Sequence, residues 1–273
     1  MKDKLLRKLV PSVPILARTP LALLLDISDH FIKIRHPEYS HLPPASLRIR
    51  IGVGNKLLRN HSQFIKIGKH FIQDMINKQL LNSKSRILEI GCGCGRLAME
   101  FSKILDKDGY YIGQDIDREM IEWCQKHLQD NRIHFEYADI FSAVYNPHGL
   151  HATDYEFPLK NNSVNLIVAT SVFTHLLYHD FSHYIKECDR ILSTGGYIYA
   201  SFFIMDYIKS SLGDRWSFQH KQNNCYVENL KYPEAAISYD LEVIRHTLFS
   251  NNFSITEIFN KDSAQQIIIA KKG

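Results

Sequence analysis

The chain has 273 residues, of which 45% are hydrophobic and 23% charged. That suits a globular protein with a sizeable core and excludes wholesale disorder. The formal net charge is +4, and the basic residues are interleaved with acids along most of the chain, so the dense basic stripe of a nucleic-acid binder is not found and no nucleic-acid partner is expected.

The opening, MKDKLLRKLVPSVP, has basic residues but no uninterrupted apolar stretch, and is not expected to be a cleaved signal peptide. Two readings stay open for residues 1–10. One is a terminal helix packed on its own domain. The other is a short amphipathic helix making peripheral membrane contact through Lys2, Lys4, Arg7 and Lys8. No apolar run approaches the roughly 20 residues of a transmembrane segment; the longest, Leu21 to Leu25, is broken by Asp26 and Asp29.

Residues 1–82 read as a helical extension or lid. Pro11, Pro14, Pro20 and the pair Pro43–Pro44 punctuate it. Helices are expected after Pro20 (LALLLDISDHFIKI) and from about Gln63 to Leu81, where Phe64, Ile67, Phe71, Ile72 and Met75 recur at helical spacing.

Residues 83–273 alternate strands with helices. The strands are RILEI, GYYIGQD, IHFEYAD, VNLIVATS and YIYASFF; the helices are RLAMEFSKIL, REMIEWCQKHLQ and FSHYIKECDRIL, the last followed by a TGG turn. LEVIRHTLFSNN is a further helix, and FSITEIF with AQQIIIAKK closes the chain as an edge hairpin. This predicts an α/β, Rossmann-like, doubly wound and mostly parallel sheet with a C-terminal antiparallel edge hairpin and an N-terminal helical extension.

Cys92, Cys94, Cys124, Cys188 and Cys225 are odd in number and irregular in spacing, which argues against a disulfide framework. Cys92 and Cys94 are one residue apart, a poor match to a zinc CxxC. The expectation is a cytoplasmic protein with reduced thiols and no metal. His179, Asp180 and His183 share a helical face read as solvated rather than metal-binding.

The strongest motif is Glu89-Ile-Gly91-Cys-Gly93-Cys-Gly95, between a strand and a helix. Glycines let a backbone turn sharply and approach a ligand closely. A dinucleotide GxGxxG fails here because its third glycine position falls on Arg96, which disfavours a nicotinamide-dependent oxidoreductase. Asp115 follows 24 residues after Gly91, at the end of the second strand, where a carboxylate can accept from a ribose diol. The third strand ends in Tyr137-Ala-Asp139-Ile140, where a carboxylate can accept from an adenine amine. Each aspartate alone could be a helix N-cap; their order after the loop favours a nucleotide site.

ILEIGCGCGRLA, YIGQDIDREMI, YADI, LKNNSVNLIVATSVFTHL and RILSTGGYIYASFF together resemble the class I methyltransferases over roughly residues 85–205. The resemblance implies S-adenosyl-L-methionine as cofactor. It implies that Glu89 orients the loop and that Gly91, Gly93 and Gly95 surround the methionine part. Asp115 would hold the ribose, Ile116 pack on adenine, and Asp139 with the Ile140 backbone read the adenine edge; Thr170, in the fourth-strand motif, joins this set. The family's usual acid opening the fourth strand is Asn165 here, and the proline before its glycine pair is Thr194. More narrowly, LPPASLRIRIGVG, FIKIGKHF, GCGCGR, IEWC and SVFTHL resemble a bacterial methyltransferase subgroup found near cell-surface sugar pathways.

For the acceptor, His175 in SVFTHL is the candidate general base, with pocket shaping as the alternative. Arg48 or Arg50 is the candidate partner of the cofactor carboxylate, against a surface role. Residues 213–239, with Trp216, Phe218, Tyr226, Tyr232 and Tyr239, read either as an aromatic substrate cover or as plain packing. ATSVFTHL lacks the Asn/Asp-Pro-Pro-aromatic signature of nucleic-acid nitrogen methylation. The expected reaction is O-methylation of a small polar or glycan-linked acceptor. A protein substrate, and a non-catalytic binding module that keeps the cofactor fold, are the alternatives.

Overall fold

The computed structural model describes residues 20–51, 60–142, 146–211 and 216–273. The peripheral-contact expectation for residues 1–10 lies outside them, as do residues 213–215 of the expected cover.

Five strands, β1 (Arg86–Ile90), β2 (Tyr110–Asp115), β3 (Ile133–Tyr137), β4 (Val164–Ala169) and β5 (Leu192–Ile204), lie parallel in the order β3-β2-β1-β4-β5. Three short strands, β6 (His220–Gln222), β7 (Cys225–Val227) and β8 (Ile237–Tyr239), form an antiparallel branch, with β8 joined parallel to Phe203 and Ile204 at the end of β5. β9 (Phe253–Phe259) and β10 (Gln266–Lys272) are the closing hairpin. β10 lies antiparallel against β5, so β9 is the edge.

The helices are α1 (Pro20–Arg35), α2 (Ala45–Arg48), α3 (His61–Asn77), α4 (Ala98–Phe101), α5 (Arg118–His127), α6 (Tyr178–Ile191), α7 (Met205–Ser211) and α8 (Leu241–Phe249). Strand alternation sends side chains to both faces of the sheet. Leu88, Ile167, Ile198 and Ile268 pack with Phe181, Ile185 and Cys188 of α6. Ile87, Leu166, Tyr199 and Ile267 pack with Ile72 and Met75 of α3 and Ile121 and Cys124 of α5. Both faces are therefore covered, as a doubly wound sheet requires.

Two local expectations change. The Thr-Gly-Gly turn is absorbed into β5: its register against β4 jumps from Val164↔Leu192 to Leu166↔Tyr197, and Gly195 takes φ +77°. The helix after the glycine loop is only α4, because Lys103 and Ile104 donate to the carbonyls three residues back, to Glu100 and Phe101.

The extension docks through buried polar contacts. Asp29 of α1 binds Arg48 of α2 (Oδ1–Nη2 2.6 Å) and His61 of α3 (Oδ1–Nε2 2.6 Å). Arg48 Nε donates to Asn60 at 2.9 Å. Burial works against the Asp29 charge, but the Arg48 and Lys33 contacts hold its carboxyl below the usual range. Removing one partner from such a pair strands the other charge, so the cluster fixes α1, α2 and α3 to one another.

Candidate functional site

The loop after β1 is held to β2 by Gly91 N–H and Cys92 N–H, which both donate to the Gln114 carbonyl at 2.8 and 3.0 Å. Gly91, Gly93 and Gly95 take φ of +72°, +54° and +79°, a region side chains rarely enter. A Cβ on Gly91 would stand 2.5 Å from Val172, and one on Gly93 2.7 Å from Ile51. The sequence rule of three glycines thus has two physical causes here, backbone conformation and close approach.

Asp115 closes the loop from the end of β2. Its Oδ2 accepts from Gly93 N–H at 2.7 Å and its Oδ1 from Asp117 N–H at 2.8 Å. Burial lifts its carboxyl to about 6 against the pull of those two N–H groups. A carboxylate has about four acceptor positions, so beside its backbone partners Asp115 can still accept from a hydroxyl group. Glu89 is buried at the end of β1 and accepts from the Tyr111 hydroxyl at 2.6 Å. Burial lifts it to about 8, with the Tyr111 hydrogen bond and Arg96 opposing. Tyr111 and Gln114 were not singled out by sequence reasoning, since strand periodicity marks them only as core.

The next strand end sits beside this pair. Ile116 is half-buried and packs on the core. Asp139 is exposed; its Oδ1 accepts from the Tyr137 hydroxyl at 3.1 Å and from Asn146 Nδ2 at 3.0 Å. Ile140 N–H donates to the Ala138 carbonyl at 2.8 Å, so the structure gives that backbone donor a local partner. Thr170 is half-buried at the end of β4, next to Ser171, which takes φ +58° with its N–H on Ser201 Oγ at 2.7 Å.

His175 follows in the β4–α6 connection. Its Nδ1 lies 2.8 Å from the Glu234 carbonyl, which can only accept. The proton therefore sits on Nδ1, and Nε2 carries the lone pair that a base needs. Burial lowers the imidazole's pKa, with the Glu234 contact opposing, so the ring stays neutral at neutral pH. Ile237 N–H donates to the Thr174 carbonyl at 2.8 Å and the Tyr239 hydroxyl to Leu176 O at 2.5 Å, so the β-branch braces this connection.

The lid arginines have partners of their own. Arg48 is buried in the Asp29 cluster. Arg50 reaches Asp117 Oδ2 at 3.0 Å and Glu119 Oε2 at 2.6 Å. Its partner Asp117 is two residues from Asp115, and Ile51 lies on Gly93. The pairing of Arg50 with Asp117, 67 residues on, has no local sequence signal.

Several rings of the segment expected as a cover pack within the protein. Phe218 is buried with Phe203, Ile208 and Ala236, and Trp216 and Tyr226 pack on that cluster. Trp216 stacks on Phe218 at 5.9 Å, and Tyr239 is buried against Phe181 at 5.0 Å. Tyr232 remains at the surface. The His179–His183 face is likewise less solvated than expected, since His183 Nε2 lies 2.8 Å from the Tyr155 carbonyl. All five cysteines are buried and unpaired with one another. Among the described residues no cluster of His, Cys, Asp and Glu could hold a metal, and no helix is long and apolar enough to cross a membrane.

Residues 88–200 match the family model described as a methyltransferase domain. Among curated proteins the chain is similar to ubiquinone/menaquinone biosynthesis C-methyltransferases: 27% identical over 135 residues to that of Vibrio cholerae, covering 49% of this chain and 47% of the relative, and 21% over 115 residues to that of Wigglesworthia glossinidia brevipalpis, covering 42% and 41%. The chain thus spans less than half the length of these relatives. Among solved structures, an S-adenosylmethionine dependent methyltransferase from Mesorhizobium loti superposes with a TM-score of 0.52 at 14% identity, over 73% of this chain and 96% of that one. The Haloferax volcanii chain complexed with the Trm112 methyltransferase activator gives 0.54 at 12%, over 77% and 92%.

Proposed function

We propose that this chain, whose core lies in the class I S-adenosylmethionine-dependent methyltransferase superfamily, moves a methyl group to the oxygen of a small polar or glycan-linked acceptor. The observation that carries the cofactor part is the Asp115 carboxylate, which clamps the Gly93 N–H while keeping lone pairs free at the mouth of a three-glycine cradle.

The residues present fit the cofactor. The cradle sits at the carboxyl ends of the strands, where ligands of such sheets bind. Gly91, Gly93 and Gly95 would flank the methionine part, Glu89 would hold the loop, and Asp115 would accept from the ribose. Ile116, Asp139, Ile140 and Thr170 would surround the adenine side, with Arg50 beside the mouth. S-adenosyl-L-methionine, when bound, supplies an electrophilic methyl group. His175 Nε2 would take the proton of an acceptor hydroxyl as the oxygen attacks. The loop and lid contacts orient the partners and exclude water.

The curated relatives, which are C-methyltransferases, favour a second reading, a carbon acceptor. Both readings are tested by incubating the protein with isotope-labelled cofactor and separate RNA, DNA, protein and glycan-plus-metabolite fractions, then locating the label by mass spectrometry. Label on oxygen in the last fraction is expected. Label on carbon favours the second reading. Label mainly in nucleic acid or protein refutes the acceptor assignment, and cofactor binding without transfer to any fraction refutes the catalytic one.

A further inference from the structure

Helix α1 is mounted inside out. Asp26, Asp29 and Lys33 face the protein: Asp26 accepts from Ser46 N–H and Oγ at 2.8 and 2.7 Å, Asp29 binds Arg48 and His61, and Lys33 Nζ donates to the Leu42 carbonyl at 2.7 Å. Leu24, Ile27, Phe31 and Ile34 face outward and are 63%, 47%, 62% and 61% exposed. At 100° per residue these four fall within one narrow arc, opposite the three polar anchors. The stripe is about 15 Å long at 1.5 Å per residue. An amphipathic helix on a globular protein ordinarily turns its apolar face inward. Here a buried ion pair spanning 19 residues and a buried hydrogen bond spanning 32 hold the helix the other way, so the exposed stripe is built and not a fraying end.

Charge identifies the partner. Residues 1–19 contain Lys2, Lys4, Arg7, Lys8 and Arg18 against the single acid Asp3. That excess equals the net +4 of the entire chain, so everything after residue 19 is balanced. His30 and Arg35 flank the stripe itself. An apolar helical face joined directly to a concentrated basic segment matches a bilayer interface with anionic headgroups, where apolar burial and electrostatic attraction add. Pairing with a second copy through the same face would instead bring two basic segments together.

We infer that the outward face of α1 is a docking surface for an anionic membrane, with the positive charge of the preceding sequence adding to the attraction. The Arg48 cluster links α1 to α2, and Arg50 and Ile51 follow directly over Asp117 and Gly93. Docking through α1 would thus bring the lid side of the site to the bilayer.

The test is flotation of the full chain with phosphatidylcholine vesicles, with and without phosphatidylglycerol. It reads binding, not methyl transfer, and so fails or succeeds independently of the proposed activity. Binding is expected to the mixed vesicles and to weaken with salt. Replacing Leu24, Ile27, Phe31 and Ile34 together by Ser should lower the partition coefficient about tenfold or more. Replacing Lys2, Lys4, Arg7 and Lys8 by Gln should lower it by up to about 10³-fold, at roughly 1 kcal/mol per basic residue. As a variant that removes nothing, Phe31→Trp should add emission that shifts to shorter wavelength with mixed vesicles. Equal absence of binding to both vesicle types, or no emission shift, overturns the inference. So does a dimer that the four-Ser variant converts to monomer while vesicles have no effect.

Discussion

Asp115 is the residue whose replacement separates a cofactor-binding role from a purely structural one. Its carboxylate already accepts two backbone N–H groups, at 2.7 and 2.8 Å. Asp115→Ala would strand both donors, each costing about 1–3 kcal/mol where buried, and would blur loop collapse with lost binding. Asp115→Asn is the cleaner perturbation. It keeps one acceptor oxygen, and it removes a charge that the fold disfavours. The carboxyl's folded value of about 6 lies above its ordinary 3.8, so its ionisation subtracts stability as pH rises through that interval. That relief offsets part of the lost hydrogen bond, and the melting temperature should move by only a few degrees. Cofactor affinity should fall much further. Hydrogen bonds to a charged acceptor contribute about 1.5–3 kcal/mol, or about 10- to 150-fold in Kd. The assay is a double-mutant cycle by calorimetry, with S-adenosylmethionine and its 2′-deoxy analogue on both proteins. The parent should discriminate between the ligands and the variant should not, leaving a coupling energy of about 1 kcal/mol or more. Equal discrimination by both proteins would refute the ribose assignment and reduce Asp115 to a clamp on Gly93.

Gly93→Val combines a φ of +54° with a Cβ 2.7 Å from Ile51; about 1–3 kcal/mol of stability and most cofactor affinity should be lost, read by thermal melts with and without cofactor. His175→Ala should lower turnover about 10²-fold while calorimetry shows nearly unchanged cofactor affinity. Because the ring's pKa is depressed, the parent's kcat should stay flat through neutral pH and fall only below the ordinary histidine range, a limb absent from His175→Gln. Glu89 is lifted to about 8 and Asp115 to about 6; in the proposed placement the positive charge of the cofactor would favour their ionised forms. Affinity should therefore rise with pH across that window, and binding should release protons, measured by calorimetry in buffers of different ionisation enthalpy; no proton release counts against the placement. Without cofactor the sign reverses: both folded values are raised, so stability present at low pH is lost as pH climbs through about 4 to 8.

The parts of this site that were legible in the sequence are those whose causes are local. Three glycines within five residues report a backbone turn, and an acid at the end of the next strand reports a position rather than a contact. Both follow from strand and loop periodicity, and the structure puts Asp115 on Gly93. What was not legible depends on partners far along the chain. The periodicity of residues 20–35 marks an apolar stripe but not which way it faces; Asp29 decides that through Arg48 and His61. The aromatics of residues 213–239 leave a substrate cover and plain packing both open, because composition cannot distinguish rings that face a ligand from rings that face each other. β6, β7 and β8 are three residues each, too short for an alternation to emerge. Arg50 is a candidate partner of the cofactor carboxylate by its charge and place in the extension, but its pairing with Asp117 and Glu119 has no signal in the local sequence.

The same long-range contacts explain why the glycine loop has one conformation. From the sheet side, the Gln114 carbonyl and the Asp115 carboxylate hold Gly91, Cys92 and Gly93 by their N–H groups. From the opposite side Ile51 closes on Gly93, at the end of a segment fixed by Arg50 on Asp117 and Arg48 on Asp29. Asp117 N–H in turn donates to Asp115, so the two sides meet on one carboxylate. A left-handed loop is costly for a free chain to adopt and needs surroundings that over-determine it. Here they do, and the N–H groups and carboxylate are set before any ligand arrives. Binding then has little conformational entropy to lose at the loop. The helical extension is for that reason part of the site's framework, and loosening α1 or α2 should be felt at Asp115 without either helix touching a ligand.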